Sequence, residues 1–75
     1  MHIKTTAQLV EFLRETRKKQ NVTQEQLADF TGLQRIGIVR IESGQTEPRI
    51  STVLRICEML GVKLICQTDG DAAQG

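Results

Sequence analysis

The sequence predicts an all-α domain of four to five helices, followed by one C-terminal β-strand that pairs across a homodimer. Three observations favour this fold. Thr5 and Thr23 are each followed by a glutamine three residues later, which is the spacing of a capping box at a helix start. Apolar residues recur at intervals of three and four through most of the chain, as on a buried helix face. Gly32 and Gly61 close two of these stretches, where helices commonly end.

The first two helices are expected over residues 6–20 and from Thr23 onward. The first ends in the basic segment RKKQN. In the second, Leu27 and Ala28 face inward. Gly32 ends this helix, because glycine accepts the left-handed backbone of a sharp reversal at little steric cost.

The third helix is expected over residues 34–42. Ile38 and Ile41 are three apart and therefore share one face of it, which leaves the arginines at 35 and 40 pointing elsewhere. Two short helices joined by a glycine turn predict a helix-turn-helix unit over residues 23–44. The alternative is an ordinary helical hairpin.

The fourth helix is expected to begin at the cap residue Ser51 and to end at Gly61. Its apolar surface is broad and is made of five residues: Val53, Leu54, Ile56, Cys57 and Leu60.

The stretch at residues 62–67 alternates in the manner of a strand with a mostly apolar inner face. The sequence predicts no second strand, so its backbone groups either remain in coil or pair with a copy of themselves. We expect antiparallel pairing about a two-fold axis. The dimerisation residues are then Val62, Leu64, Ile65 and Cys66. The helix-turn-helix domain and its C-terminal strand are together expected to cover residues 1–67, and residues 68–75 are expected to be a disordered tail.

Composition narrows the class of protein. Seventy-five residues allow one domain. Its core is so small that a monomer would be only marginally stable, so we expect a partner subunit or a stabilising cross-link. The net charge of +1 is weak support for nucleic acid, but residues 1–21 hold five Lys or Arg against two Glu. Only two aromatic residues are present, which disfavours the stacking surfaces that bind single strands.

Other features exclude several kinds of site. Cys57 and Cys66 lack metal-ligand spacing and are expected to be reduced core thiols, so no metal or cofactor is predicted. No apolar run approaches the roughly 20 residues of a membrane span, and no signal peptide is evident, which predicts a cytoplasmic protein without a membrane partner. His2 is the single histidine and no nucleophile with a base suggests itself, so an enzyme is not expected.

The segment TQEQLADFTGLQRIGIVRIESGQTEP resembles the helix-turn-helix core of the lambda-repressor-like, Xre-type family of DNA-binding proteins. The resemblance covers residues 6–61. The strand at 62–67 resembles the C-terminal strand through which HipB-type antitoxins of that family dimerise. These likenesses imply a lambda-repressor-like fold and double-stranded DNA as the ligand.

Carried over position by position, the resemblance assigns two sets of DNA contacts. Arg35 is suited to donate two hydrogen bonds to guanine, Ile36 or Val39 suits a thymine methyl group, and Arg40 could instead hold a phosphate. The implied base-reading residues are Gln34, Arg35, Ile36, Val39 and Arg40. The implied backbone contacts, which set register, are Thr23, Gln24, Ser43, Gln45, Thr46 and Arg49.

The resemblance also implies a buried structural ion pair between Arg17 and Glu42. Two positions depart from the family pattern. Gln34 stands where Ser or Thr commonly caps the third helix, and Gly37 lies inside that helix, which costs roughly 1 kcal/mol relative to alanine. The glycine either lets the backbone approach DNA or is a tolerated local weakness.

The sequence therefore predicts a homodimeric transcriptional repressor of a palindromic operator. A narrower hypothesis, implied by the resemblance, is the autoregulating antitoxin of a HipA-type serine/threonine kinase toxin. The alternatives are a stand-alone phage-type or controller repressor, and a protein-interaction module on the same fold, which the apolar Ile36 and Val39 would permit.

Overall fold

Four helices make up the regular structure of residues 2–68, the part of the chain that this computed structural model describes. They are α1 (Thr6–Lys19), α2 (Gln24–Thr31), α3 (Arg35–Glu42) and α4 (Ile50–Leu60). The predicted all-helical arrangement is confirmed for these residues, and the predicted first helix differs from α1 by one residue at its end.

Both predicted capping boxes form. The hydroxyl oxygen of Thr5 accepts the Gln8 N–H at 3.1 Å, and the Gln8 side chain accepts the Thr5 N–H at 3.2 Å. At the start of α2, Thr23 and Gln26 make the same two bonds at 3.0 and 2.9 Å. Each box satisfies two backbone donors near a helix start, where no carbonyl of the helix can reach them.

The turn between α2 and α3 depends on Gly32. Its φ of +79° lies in the left-handed region, and its N–H donates to the carbonyl of Ala28 at 2.9 Å. Leu33 donates to the same carbonyl at 3.1 Å. The chain can therefore reverse and start α3 three residues after Gly32, as the helix-turn-helix prediction requires.

The starts of α3 and α4 lack side-chain caps. Gln34 precedes α3 without a capping hydrogen bond, in agreement with its weak capping chemistry. The prediction that Ser51 caps the fourth helix is wrong. The N-cap is Arg49, because the Val53 N–H already donates to the Arg49 carbonyl at 3.0 Å, which places Ser51 inside the first turn.

The core lies where α2 meets α3 and α4, with α1 closing it from the side. Leu27 of α2 and Ile38 of α3 are its most deeply buried large side chains. Leu54, predicted on the apolar face of the fourth helix, is instead 51% exposed, because α1 and α2 cover only one side of that helix. The buried cluster consists of Leu13, Leu27, Ala28, Ile38, Val53, Ile56, Cys57 and Leu60.

The chain leaves α4 through Gly61, which has a φ of +70°, and Val62 then packs against the core. Residues 62–68 form neither helix nor strand in the single chain. The predicted strand at 62–67 is thus not formed within residues 2–68, which offer it no partner strand, and its pairing with a second copy stays a prediction. Cys66 is exposed, so the prediction that both cysteines are core thiols holds only for Cys57.

Two further predictions concern the C-terminal tail and membrane-spanning helices. Of the predicted tail, Thr68 lies in coil, and residues 69–75 lie outside the described residues. Among residues 2–68, no helix has both the length and the apolar character needed to cross a membrane.

Candidate nucleic-acid interface

The predicted base-reading residues lie on the outer side of α3 or at its start. Ile38 and Ile41 anchor the opposite side in the interior. Arg35, Ile36 and Arg40 are exposed, Val39 is half-buried, and Gln34 is exposed at the N-cap. A short helix with one anchored side and one free side carrying two guanidinium groups is the geometry that enters a DNA major groove.

A shallow polar pocket lies beside α3 at the start of α2. It is lined by five residues: Arg17, Thr23, Gln24, Glu25 and Arg35. Within residues 2–68, the backbone N–H groups of Gln24 and Glu25 have no acceptor, because they belong to the first turn of α2. Free N–H groups and the positive end of the helix dipole attract an anion such as a phosphate. The carboxylate of Glu25 lowers the positive potential of this pocket, and the guanidinium of Arg35 raises it.

Arg17 and Glu42 lie within hydrogen-bond distance, as the resemblance implied. The Arg17 Nε and Nη2 atoms donate to the two carboxylate oxygens of Glu42 at 2.7 and 2.9 Å. The two side chains are only 10% and 9% exposed. A two-bond pair of this kind fixes orientation as well as distance, so the last residue of α3 is held against α1.

Two additional bonds extend the ion pair. Arg17 Nη1 donates to the Val22 carbonyl at 2.8 Å, and Gln24 Nε2 donates to Glu42 Oε1 at 3.0 Å. The same network therefore joins α1, the start of α2 and the end of α3. One amide hydrogen of Gln24 is engaged in this network, and the second remains available for a phosphate.

The predicted backbone-contacting loop follows α3 directly. Ser43, Gln45, Thr46 and Arg49 are all exposed. The loop folds back on the end of α3, since the backbone N–H groups of Gln45 and Thr46 donate to the Arg40 carbonyl at 2.9 and 3.2 Å. The Ser43 hydroxyl also donates to that carbonyl at 3.2 Å. The loop is thus fixed relative to the end of α3 and to the predicted base-reading residues on that helix.

Sequence reasoning missed two contacts at this surface and a third that joins α2 to α4. Gln24 was predicted only to contact a phosphate, and it also donates to Glu42. Arg35 was predicted only to contact bases, and it also lines the pocket at the start of α2. Arg55 donates to the Phe30 carbonyl at 2.8 Å and lies over the Phe30 ring, which holds the end of α2 against α4. Each contact joins residues far apart in sequence, and no local pattern signals it.

Comparison with known proteins places these features in a family context. The helix-turn-helix family HTH_3 matches residues 13–65. An uncharacterized HTH-type transcriptional regulator of Haemophilus influenzae is 36% identical over 56 residues, which are 75% of this chain and 57% of the relative.

Two further relatives cover more of the chain. The SPbeta prophage-derived uncharacterized HTH-type transcriptional regulator YonR of Bacillus subtilis is 33% identical over 85% of this chain and 59% of its own length. The uncharacterized HTH-type transcriptional regulator y4mF of Sinorhizobium fredii is 33% identical over 92% and 91% of the respective lengths. The chain thus spans less than two thirds of the Haemophilus and Bacillus relatives.

Proposed function

The chain belongs to the helix-turn-helix family HTH_3, and from this premise we propose that it is a homodimeric transcriptional repressor that binds a palindromic double-stranded DNA operator. The observation that carries the proposal is the position of α3. It is anchored by Ile38, exposes Arg35 and Arg40, and lies beside the free N–H groups at the start of α2. Base contacts and phosphate contacts are thereby available from one surface.

The phosphate contacts position the protein and the α3 side chains select the sequence. A phosphate in the α2 pocket would accept bonds from the Gln24 and Glu25 backbone, and the loop after α3 would supply Ser43, Gln45, Thr46 and Arg49. The guanidinium of Arg35 would donate two bonds to O6 and N7 of a guanine. This binding role requires no cofactor and no catalytic step, and it would be exercised in the cytoplasm.

The proposed dimer uses the C-terminal segment, residues 62–67. Leu64 and Ile65 of this segment are exposed and line one groove with Ile3, Leu9 and Phe12. Within residues 2–68, the backbone groups of residues 63–67 have no hydrogen-bond partner. The same segment of a second copy would supply partners for these groups and cover the groove, in an antiparallel arrangement about a two-fold axis.

Binding-site selection from a random duplex library tests the proposed function. A dimer with two copies of α3 is expected to enrich an inverted repeat whose half-sites lie about one helical turn, roughly 34 Å, apart. Enrichment of a single unrepeated half-site would contradict the dimer. A pool that stays random after repeated rounds would contradict sequence-specific DNA binding.

The narrower role as antitoxin of a HipA-type serine/threonine kinase rests on the resemblance of the C-terminal segment to HipB-type antitoxins. A kinase-like reading frame beside the gene and a stable complex with its product are expected if this role holds. The prophage origin of the Bacillus relative favours the alternative, a stand-alone phage-type regulator, for which no such reading frame is expected.

A further inference from the structure

The outer side of α3 has its charged and apolar residues in a definite order. Successive helix residues are about 100° apart, so Val39, Ile36 and Arg40 follow Arg35 at about 40°, 100° and 140° around the axis. The two apolar residues therefore lie side by side between the two arginines. We call Ile36 and Val39 the apolar strip.

The apolar strip is not part of the hydrophobic core. Ile36 is 51% exposed, and neither residue belongs to the core cluster or to the residues packed against it. Ile38 and Ile41 already anchor α3 to the interior. The strip can neither donate nor accept a hydrogen bond, so it cannot satisfy the polar edges of most bases.

The major groove offers one apolar feature to such a strip. Among the four bases only thymine carries a methyl group on its major-groove edge, whereas the other edges present hydrogen-bond donors and acceptors. Contact between this methyl group and a branched side chain removes apolar surface of both partners from water.

The surroundings of the strip favour DNA over a protein partner. Arg35 and Arg40 border it, and the free N–H groups of the α2 pocket lie next to Arg35. These groups attract phosphates. A specific protein interface buries about 800 Å² on each partner, far more apolar surface than two side chains supply.

We propose that Ile36 and Val39 read thymine methyl groups, so that each operator half-site carries thymines at the centre of the α3 contact with a guanine beside them at Arg35. This inference rests on the proposed function and adds the chemical character of the half-site. The protein would then distinguish the bases of the half-site by contact with methyl groups as well as by hydrogen bonding.

Replacement of single thymines by deoxyuridine tests this inference directly. Deoxyuridine keeps the base pair and every hydrogen-bonding group and removes only the methyl group. After selection of the operator, each thymine is replaced in turn in both half-sites, and affinity is measured for the wild-type protein. Replacement of a contacted thymine is expected to lower the affinity about fourfold per methyl group.

Three variants assign the contact to residues. Ile36→Ala and Val39→Ala are each expected to lose the sensitivity to deoxyuridine at the position that the residue contacts, because a contact already lost cannot be lost again. Leu54→Ala is the matched control, since Leu54 is also 51% exposed but lies on α4. It should retain the full sensitivity, and thermal unfolding verifies that all three variants are folded.

The outcomes separate the inference from the function on which it rests. Operator binding that is specific but insensitive to every deoxyuridine overturns the methyl contact and leaves the proposed function standing. Sensitivity that persists in both Ile36→Ala and Val39→Ala overturns the assignment to the strip. Failure of the wild-type protein to select any sequence overturns both.

Discussion

Arg17 in the last turn of α1 and Glu42 at the end of α3 form a two-bond ion pair with N–O distances of 2.7 and 2.9 Å. The pair is nearly excluded from solvent. Because Gln24 bonds the same carboxylate, one charge pair holds together the polar pocket at the start of α2 and the end of α3. The pair is thus a structural support of the surface proposed to bind DNA.

Removal of one partner of this pair is expected to destabilise the fold strongly. Arg17→Met leaves the Glu42 carboxylate buried without its counter-charge, which typically costs about 3 to 5 kcal/mol, and urea unfolding measures the loss. If the variant is unfolded even in buffer, the double variant Arg17→Met/Glu42→Leu removes the stranded charge and should recover much of the stability.

A matched control uses a partly exposed pair on the same helix. Glu15→Gln weakens the contact between Glu15 and Arg14, whose closest atoms are 3.7 Å apart in a partly exposed setting, and should cost less than about 1 kcal/mol. A loss in Arg17→Met no larger than that of Glu15→Gln would show that the buried pair contributes little.

Gly37→Ala is expected to stabilise the protein. A Cβ at this position would lie 3.9 Å from the Cβ of Leu33, an ordinary contact, so the substitution removes the helix-weakening effect of glycine by about 1 kcal/mol. Gly32→Ala is the contrasting variant, because its φ of +79° strains any other residue. Thermal unfolding should raise the Tm of the first and lower that of the second.

The same Gly37 variant also tests why the glycine is present. We expect Gly37→Ala to bind operator DNA with unchanged affinity, because the added methyl group would face Leu33, which packs against the core, and not the outer side of α3. Weaker binding in spite of the higher stability would show instead that the α3 backbone approaches the duplex at this glycine. Higher stability with unchanged affinity would identify the glycine as a tolerated weakness of the helix.

The two cysteines should differ in reactivity. Burial raises the pKa of the Cys57 thiol above its ordinary value of 9.0, whereas Cys66 is exposed. A thiol reagent near pH 8 should therefore modify Cys66 in the native protein and Cys57 only after unfolding, as mass spectrometry can verify. Rapid modification of Cys57 in the native state would contradict its placement in the core.

The raised pKa of Cys57 also gives a pH dependence of stability. The thiol ionises at a lower pH in the unfolded chain than in the folded one, so its contribution is fully present below about pH 9 and declines as the pH rises toward the folded pKa. Cys57→Ser is an unsuitable control because it adds a buried hydroxyl, and Cys57→Ala is preferable. The free energy of unfolding of Cys57→Ala, measured by urea unfolding, should therefore decline less above about pH 9 than that of the wild-type protein.

The C-terminal segment should control the oligomeric state. Truncation after Gly61 is expected to yield monomer or unfolded chain, because it removes the proposed pairing strand and also Val62, which packs against the core. Ile65→Asp separates these effects, since Ile65 is 78% exposed in the single chain and its replacement should spare the monomer fold.

Sedimentation equilibrium distinguishes the outcomes for this segment. The wild-type protein should be a dimer and Ile65→Asp a folded monomer with weakened operator binding. A dimer that persists in both the truncated protein and Ile65→Asp would show that another surface, such as the exposed side of α4, forms the interface.

Local signals in the sequence predicted the helix boundaries well, and long-range contacts were beyond their reach. Thr23 and Gly32 specify the limits of α2 through bonds to neighbours three or four residues away, so a short window contains the whole cause. Ser51 has good capping chemistry, but the path of the chain after Pro48 places the N-cap at Arg49 and the first helical residue at Ile50. Local chemistry therefore failed where the preceding loop set the helix start.

The candidate site divides in the same way. Periodicity was enough to place Arg35, Ile36 and Arg40 on the outer side of α3. The helix period and the buried Ile38 together determine which way each side chain of this helix points. Periodicity could not reveal that Gln24 bonds Glu42 or that Arg35 lines the pocket at α2, since both depend on how three helices pack. The exposure of Leu54 and Cys66 likewise depends on which elements cover them.

Affinity for the selected operator, compared with a scrambled duplex of equal length, tests the central claim most directly. The wild-type dimer is expected to prefer the operator at least about 10³-fold, and to lose about 10³ to 10⁵ in affinity between about 50 and 200 mM salt if it neutralises about six to ten phosphates. Arg35→Ala should lose about 1 to 3 kcal/mol of this preference per half-site while remaining folded, and Arg35→Lys should keep the salt dependence but lose part of the preference. Equal affinity of the wild-type protein for the two duplexes, or binding that does not weaken with salt, would contradict the account.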